Sequence, residues 1–238
     1  MSKGKAGGGL RGFYILLAVV AVVGIGAVGY SVGSNALGSP VAEPVELEGG
    51  DDFQRLTAMA IPIEVGAEDA PITIVVFGDY LCNHCATFSL RIRPMVESNL
   101  VESGKARLAF YDFPLDPGSG TFLAARAARC AGDQGRYWAY HDFLYRNQRS
   151  WALNDDKPKA FAEFADQLEL DTGEFRGCLN SDAHAQAVTA NLELARALGL
   201  PGTPAVLVGT GDGATRRLNS YSYEAIEATV DEILGDRG

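Results

Sequence analysis

Two cysteines separated by two residues carry the strongest chemical signal in this sequence. Cys82 and Cys85 form a C-x-x-C motif with His84 between them, just after the apolar run ITIVVF at 72–77. That run predicts a buried β-strand, and the amphipathic pattern over about 83–100 predicts a helix. Unpaired N–H groups at a helix N-terminus favour a thiolate, the reactive form of cysteine. The motif therefore predicts dithiol–disulfide exchange, with Cys82 as nucleophile, Cys85 as buried resolving partner and His84 favouring the Cys82 thiolate.

The remaining cysteines, Cys130 and Cys178, each stand alone in the sequence, 48 positions apart. A structural zinc site needs four ligands, and no second paired motif is present to complete one with the C-x-x-C pair. We therefore expect no metal site. In an oxidising compartment Cys130 and Cys178 would form a structural disulfide, closing a loop of about 50 residues. Two buried free thiols are the alternative.

The order of predicted elements indicates an α/β domain with a helical interruption. Its pattern is β-β-α-β, then several helices, then β-β-α. Pro94 should kink the first long helix. The predicted strands cover 61–65, 72–77, 106–111, 205–208 and, at an edge, 215–218; the predicted helices cover 83–100, 120–131, 134–148, 159–168, 183–198 and 223–234.

Four stretches give the chain a resemblance to the DsbA-like thioredoxin-fold disulfide oxidoreductases, over about residues 59–235. They are FGDYLCNHC at 77–85, YDFPL at 111–115, AARAARCAGDQGRYWAYHDFLY at 124–145 and GTPAVLVG at 202–209. The resemblance implies a thioredoxin fold with an inserted helical domain. It also implies that Pro204 is in cis and faces the dithiol, and that Thr203 contacts Cys82 and the bound substrate chain.

The chain departs from the thioredoxin pattern beside its dithiol. Thioredoxins carry a buried acid six residues before the first active cysteine, where this chain has Val76. Asp79 is the nearest acid, and we expect it to serve a loop or helix cap more than the thiol. His141 lies in an aromatic helix and is expected to pack in the interior. Arg126 and Arg129 are expected on solvated faces or in local ion pairs.

The first 42 residues differ in charge from the rest of the chain. They contain Lys3, Lys5 and Arg11 and no acidic residue, and the remaining 17 basic and 30 acidic residues give a net charge of −13. From Phe13 to Gly33 run 21 uncharged residues, enough for a helix of about 31 Å that spans a bilayer. Since basic flanks stay in the cytoplasm, we predict a single-pass signal-anchor helix, a cytoplasmic N-terminus and an extracytoplasmic catalytic domain. A cleaved signal peptide is the alternative.

The predicted organisation has five parts, and its overall charge bears on partners. The net charge of −10 disfavours binding to nucleic acid, which needs clustered basic residues. The parts are a cytoplasmic tail at 1–12, a transmembrane anchor at 13–33, a flexible linker at 34–58, a thioredoxin-like domain at 59–113 and 186–238, and a helical insertion at 114–185.

Together these features predict an extracytoplasmic thiol–disulfide oxidoreductase, and they favour an oxidase that introduces disulfides into reduced exported proteins. A quinone-linked membrane partner would reoxidise the Cys82–Cys85 dithiol, and no bound cofactor is required. A reductase or isomerase of the same fold, for example in cytochrome c maturation, is the alternative enzyme. The alternative outside enzymes is a module that binds peptides near Pro204 without turnover.

Overall fold

The computed structural model describes residues 39–210 and 215–236. The predicted tail at 1–12 and anchor at 13–33 lie outside these residues. Within the described ranges, no helix combines the length and the apolar character needed to cross a membrane.

A five-stranded mixed sheet forms the centre of the fold. Its strands are β1 (Ile63–Val65), β2 (Ile72–Gly78), β3 (Ala106–Asp112), β4 (Ala205–Thr210) and β5 (Thr215–Arg217), in the spatial order β1-β3-β2-β4-β5. β2 pairs in parallel with β3, and the other three pairings are antiparallel. The five predicted strands are therefore all present, with β2 in the middle and β5 at an edge.

Side chains of β2 alternate between two apolar layers. Ile72, Ile74 and Val76 pack into the larger core, while Val75 and Phe77 face a second cluster on the other side of the sheet. A strand covered on both faces needs an apolar residue at nearly every position, which explains the unbroken run ITIVVF. Val76, at the position of the thioredoxin acid, is fully buried in the larger core.

The helix after β2 includes two π-helical turns. We label it α2 (83–101); it contains α-helical Asn83–Thr87 and Arg93–Val96 and π-helical Phe88–Ile92 and Glu97–Val101. Pro94 lacks an N–H and its ring crowds the preceding turn of a regular α-helix. Wider π-helical turns lie on both sides of the α-helical segment that contains it. The sequence predicted this helix but not its π-helical turns.

Helices between β3 and β4 cover both the sheet and each other. They are α3 (Thr121–Asp133), α4 (Tyr137–Arg146), α5 (Gln148–Ala152), α6 (Lys157–Gln167), α7 (Thr172–Leu179) and α8 (Ala185–Ala197), and α9 (Tyr223–Gly235) ends the fold. The hydrophobic pattern did not predict α7, which is short and begins after the N-cap residue Asp171. One continuous apolar core joins the helices of the predicted insertion to the sheet.

Residues 40–58 differ from the flexible linker predicted over 34–58. Asp52 caps a further helix, α1 (Phe53–Met59), whose Leu56 is buried against α8. The N–H of Val45 donates to the Thr189 hydroxyl, and the Val41 carbonyl accepts from Arg126. A flexible linker was predicted from the Pro, Gly and acidic content of this segment. Its interspersed apolar residues instead pack against the folded domain.

Arg126 and Arg129, expected on solvated faces or in local ion pairs, are both buried, and of the two only Arg129 forms an ion pair with a described residue. Arg126 is fully buried and donates to main-chain carbonyls, including those of Ala183 and Ser181. Arg129 is also buried, and its Nε lies 2.7 Å from Oδ2 of Asp112, a residue of β3. Both sit on α3, which is buried over most of its circumference, so its polar side chains must find partners inside the protein.

A disulfide joins Cys130 on α3 to Cys178 on α7, with a Cα–Cα distance of 5.8 Å. The bond therefore connects two helices of the predicted insertion, 48 positions apart. Cys82 and Cys85 are free thiols.

Candidate active site

The strand register brings two distant loops together at one edge of the sheet. Because β2 and β4 are antiparallel, Phe77 near the end of β2 pairs with Ala205 at the start of β4. The residues just after β2 therefore lie beside those just before β4. This places Cys82 next to Thr203, and the peptide bond between Thr203 and Pro204 is cis.

Cys82 is the N-cap residue of α2 and is half-buried. Its Sγ accepts the backbone N–H of Cys85 at 3.2 Å and, as a thiol, donates to the Thr203 carbonyl at 3.3 Å. The Thr203 hydroxyl is buried and makes no hydrogen bond within the described residues, so its proton is available to the nearby sulfur. The sulfur thus lies close to the N–H groups at the start of α2, which can donate hydrogen bonds to a thiolate.

These contacts shift the pKa values of the two thiols in opposite directions. Hydrogen bonds from Cys85, Thr203 and the helix N-terminus lower the pKa of Cys82 from 9.0 to about 5, although partial burial opposes them. Burial raises the pKa of the Cys85 thiol far above its ordinary range, and the negative charge of Cys82 adds to this effect. The two thiols are therefore polarised in opposite senses, with Cys82 favouring the thiolate and Cys85 the thiol.

His84 is exposed on the first turn of α2. Its Nδ1 lies 2.8 Å from the hydroxyl oxygen of Tyr221, in the segment between β5 and α9. The donors that act on the Cys82 sulfur include the backbone N–H of His84. The imidazole is thus held in place by Tyr221, a partner that sequence motifs gave no reason to single out.

Asp79 is buried, and both oxygens of its carboxylate are occupied. Oδ1 accepts the N–H of Leu81 at 2.6 Å, and Oδ2 accepts the N–H of Leu115 at 2.7 Å. Burial raises the pKa of Asp79 from 3.8 to about 6, these two N–H groups oppose the rise, and the nearby Cys82 charge adds to it. The expected loop role is present, together with an electrostatic link to the thiol.

A polar layer lies beneath the loop that carries the dithiol. The Tyr80 hydroxyl lies 2.9 Å from Nδ1 of His141, whose Nε2 lies 3.1 Å from the Ser89 hydroxyl. His141 is fully buried, and burial lowers its pKa well below 6.5, so the ring is neutral. It is thus an interior residue, as expected from its aromatic neighbours.

Gln148 connects the helical region to the main chain around the dithiol. Its Nε2 donates to the carbonyls of Tyr80 at 2.7 Å and Cys82 at 3.2 Å. Gln148 is the first residue of α5, about 65 positions downstream of the motif. No sequence signal identifies it, because one glutamine carries no motif and the contact depends on how α5 packs.

Thiol–disulfide oxidoreductases of the thioredoxin fold are the class to which this sheet and dithiol belong. A family model described as thioredoxin matches residues 60–232, and the chain belongs to that family. The protein is thus a thioredoxin-fold thiol–disulfide oxidoreductase.

Similar proteins cover the chain to different extents. A probable disulfide bond formation protein D from Bacillus cereus is 25% identical over 225 residues, which cover 92% of this chain and 94% of that protein. A Na(+)/H(+) antiporter NhaA 1 from Salinispora arenicola is 31% identical over 166 residues, but these cover 69% of this chain and 24% of the antiporter. The crystal structure of Wolbachia pipientis alpha-DsbA1 shares the fold, with a TM-score of 0.64 and 22% identity over 74% of this chain and 92% of that chain.

Proposed function

We propose that this enzyme is an oxidase that introduces disulfides into reduced exported proteins. The observation that carries the proposal is the opposite polarisation of the two thiols, because Cys82 is stabilised as a thiolate while Cys85 is buried and protonated. A dithiol whose reduced form is stabilised in this way makes its disulfide a strong oxidant. The name of the Bacillus cereus relative, a probable disulfide bond formation protein, supports the same direction.

The first step begins from the Cys82–Cys85 disulfide. A substrate thiolate attacks Sγ of Cys82, the more exposed sulfur, and forms a mixed disulfide. The bond between the two active cysteines breaks, and Cys85 leaves with the electron pair. It then takes up a proton, since its raised pKa favours the thiol.

The second step releases the product. A second thiolate of the substrate attacks the substrate sulfur of the mixed disulfide, and Cys82 leaves as a thiolate. The substrate has then lost two electrons, which the enzyme holds as the thiolate of Cys82 and the thiol of Cys85. The substrate chain would lie beside the Cys82 sulfur during both steps, next to Thr203, whose carbonyl is 3.3 Å from Sγ, and the cis-bonded Pro204 that follows it.

His84 is proposed to assist the departure of Cys82. Its imidazole lies on the same helical turn as the dithiol and is held by Tyr221. When protonated it would add a positive charge near the sulfur, beyond the backbone donors. A lower pKa makes Cys82 a better leaving group.

The location and the recycling partner belong to the same proposal. The basic residues before the uncharged run at 13–33 support a membrane-anchored enzyme with an extracytoplasmic catalytic domain. A membrane partner that passes electrons to a quinone would then reoxidise the dithiol. Protease added to cell-wall-free cells should digest the catalytic domain, and protection of that domain would contradict this location.

The reduction potential of the Cys82–Cys85 pair tests the direction of electron flow. Equilibration with mixtures of reduced and oxidised glutathione should give a value nearer to about −120 mV than to the roughly −270 mV of thioredoxin. A value near the latter would favour the reductase alternative. The variant His84→Ser should have a less oxidising potential and a higher Cys82 pKa. Unchanged values in that variant would remove His84 from this role.

Turnover of a reduced model peptide with two cysteines separates catalysis from binding. The oxidised enzyme should convert one equivalent of the peptide to its disulfide, and the Cys82→Ala variant should convert none. A Cys82→Ala variant that converts no peptide but keeps full biological activity in the cell would instead indicate a peptide-binding module.

A further inference from the structure

Four side chains with metal-binding atoms converge around the disulfide between Cys130 and Cys178. The other two are Asp133 and His184, and one ligand atom from each of the four lies within 4.8 Å of the rest. Nε2 of His184 is 2.8 Å from Oδ2 of Asp133, and the same oxygen is 3.5 Å from Sγ of Cys178. The mechanism proposed for the dithiol uses none of these residues.

The donor atoms are those that zinc prefers. Two thiolates, one imidazole and one carboxylate can complete a four-coordinate zinc site. Sulfurs bonded to each other cannot both bind the metal as thiolates, so the full ligand set exists after the disulfide is reduced. In a tetrahedral site with zinc–sulfur bonds of about 2.3 Å, the sulfurs lie roughly 3.8 Å apart. The Cα–Cα distance of 5.8 Å leaves room for this through rotation of the two side chains.

Buried Arg126 holds the backbone of this cluster without help from the disulfide. Its guanidinium donates to the carbonyls of Ser181 at 2.7 Å and Ala183 at 2.9 Å, and lies 3.4 Å from that of Cys178. These contacts fix the chain after α7 against α3. The ligands on α7 and before α8 should therefore stay near those on α3 when the covalent bond is absent.

Solvent reaches two of the four side chains, and the backbone around them orients them toward one another. Cys130 and Asp133 are three positions apart on α3, so they share one face of that helix. His184 has a left-handed backbone with a φ of 62°, uncommon for a residue with a side chain, and its imidazole reaches Asp133. The side chains of Asp133 and His184 are 54% and 27% exposed, so an ion can reach them from solvent.

We propose that Cys130, Asp133, Cys178 and His184 bind one zinc ion when the disulfide is reduced, so that this locus holds either a disulfide or a metal. A dithiol compound reduces the bond by exchange: it passes two electrons and two protons to the sulfurs of Cys130 and Cys178, becomes a disulfide itself and leaves two thiols. Zinc binding displaces both thiol protons. A disulfide compound can reverse the change, because the two thiolates pass two electrons to it, form the Cys130–Cys178 bond and release the zinc ion.

The test uses the full chain with Cys82→Ser and Cys85→Ser, so that the active dithiol cannot bind metal. The protein is reduced with a trialkylphosphine, which becomes a phosphine oxide, and is then separated from it without oxygen. Zinc is titrated in competition with a chromophoric chelator. We expect one equivalent of zinc to bind to the reduced chain and none to the oxidised chain. A reduced chain that binds no zinc would overturn the proposal.

Ligand variants in the same background distinguish the four-residue site from a pair of thiols. His184→Gln and Asp133→Asn should each weaken zinc binding at least tenfold, the effect that loss of an outer-shell partner can already produce. The matched control is Asp182→Asn, which changes an exposed acidic neighbour outside the four proposed ligands. Unchanged affinity in the double variant His184→Gln/Asp133→Asn would reject both residues as ligands.

Thermal unfolding tests the proposal even if reduction of the disulfide destabilises the protein. Zinc should raise the unfolding temperature of the reduced parent, or restore its folding, and should leave that of the double variant unchanged. An equal zinc effect on both would contradict the proposed ligand set.

Discussion

The carboxylate of Asp79 accepts the backbone N–H of Leu115 at 2.7 Å, across 36 positions of sequence. This contact ties the loop before the dithiol to the loop after β3. It uses a buried acid whose pKa is raised to about 6, mainly by burial. Val76 occupies the position in β2 where thioredoxins carry their buried acid. The acid beside the thiols of this chain is instead Asp79, in the loop after β2.

Replacing Asp79 with asparagine should destabilise the protein in a pH-dependent way. The amide oxygen can satisfy one N–H, so that of Leu81 or Leu115 is left unpaired, at a cost of about 1–3 kcal/mol. Because the folded pKa of Asp79 is raised, its stabilising contribution is complete below about pH 4 and is lost as pH rises through 6. Urea unfolding should therefore show the deficit of Asp79→Asn shrinking from pH 4 to pH 7. Asp69→Asn, at an exposed turn, is the control. A stability deficit of Asp79→Asn that stays constant from pH 4 to pH 7 would contradict the raised pKa of Asp79.

Ionisation of Cys82 should stabilise the reduced protein over a defined pH range. Its folded pKa is lowered from 9.0 to about 5, so this stabilisation is complete above about pH 9 and is lost as pH falls through 5. The free energy of unfolding of the reduced protein, minus that of reduced Cys82→Ser, should grow from pH 5 to pH 9. The rate of alkylation of Cys82 should have its midpoint near pH 5. A midpoint near 8 or 9 would show that the donors at the helix N-terminus do not act on this sulfur.

Replacing Arg129 should lower the free energy of unfolding more than replacing any exposed arginine of the described ion pairs. In Arg129→Met the buried Asp112 loses its partner, which costs about 3–5 kcal/mol for a buried pair. Arg196→Met, which breaks an exposed pair with Glu193, should cost at most about 1 kcal/mol. Chemical denaturation measures both. Equal effects would mean that water reaches Asp112.

Removing the disulfide should lower stability without altering the dithiol. The bond links residues 48 positions apart, and its loss in Cys130→Ala/Cys178→Ala should cost about 4 kcal/mol by chain entropy. The midpoint of Cys82 alkylation against pH should stay the same, since the groups that set the Cys82 pKa belong to Cys85, Thr203 and the N-terminus of α2, not to the disulfide. Urea unfolding of the wild-type protein and of Cys130→Ala/Cys178→Ala measures the loss of stability. The rate of Cys82 alkylation as a function of pH tests whether the dithiol is unaltered.

The sequence alone determined the features that depend on local pattern. The apolar run at 72–77 predicted the central strand because both faces of that strand are covered, and the spacing of Cys82 and Cys85 predicted the dithiol at a helix start. The order of elements predicted five strands with helices between the third and the fourth. Such features follow from periodicity and from chemistry within one turn of the chain.

The tertiary structure decided what depends on contacts between distant segments. Sequence gave no reason to place Gln148 or Tyr221 beside the dithiol, and Arg126 looked like a surface residue until the packing of α3 buried it. Residues 40–58 had the composition of a linker but found a surface to cover. Asp133 and His184 came to the disulfide through the arrangement of three helices. A single polar residue carries no periodic signal, so its partner is fixed only when the helices pack.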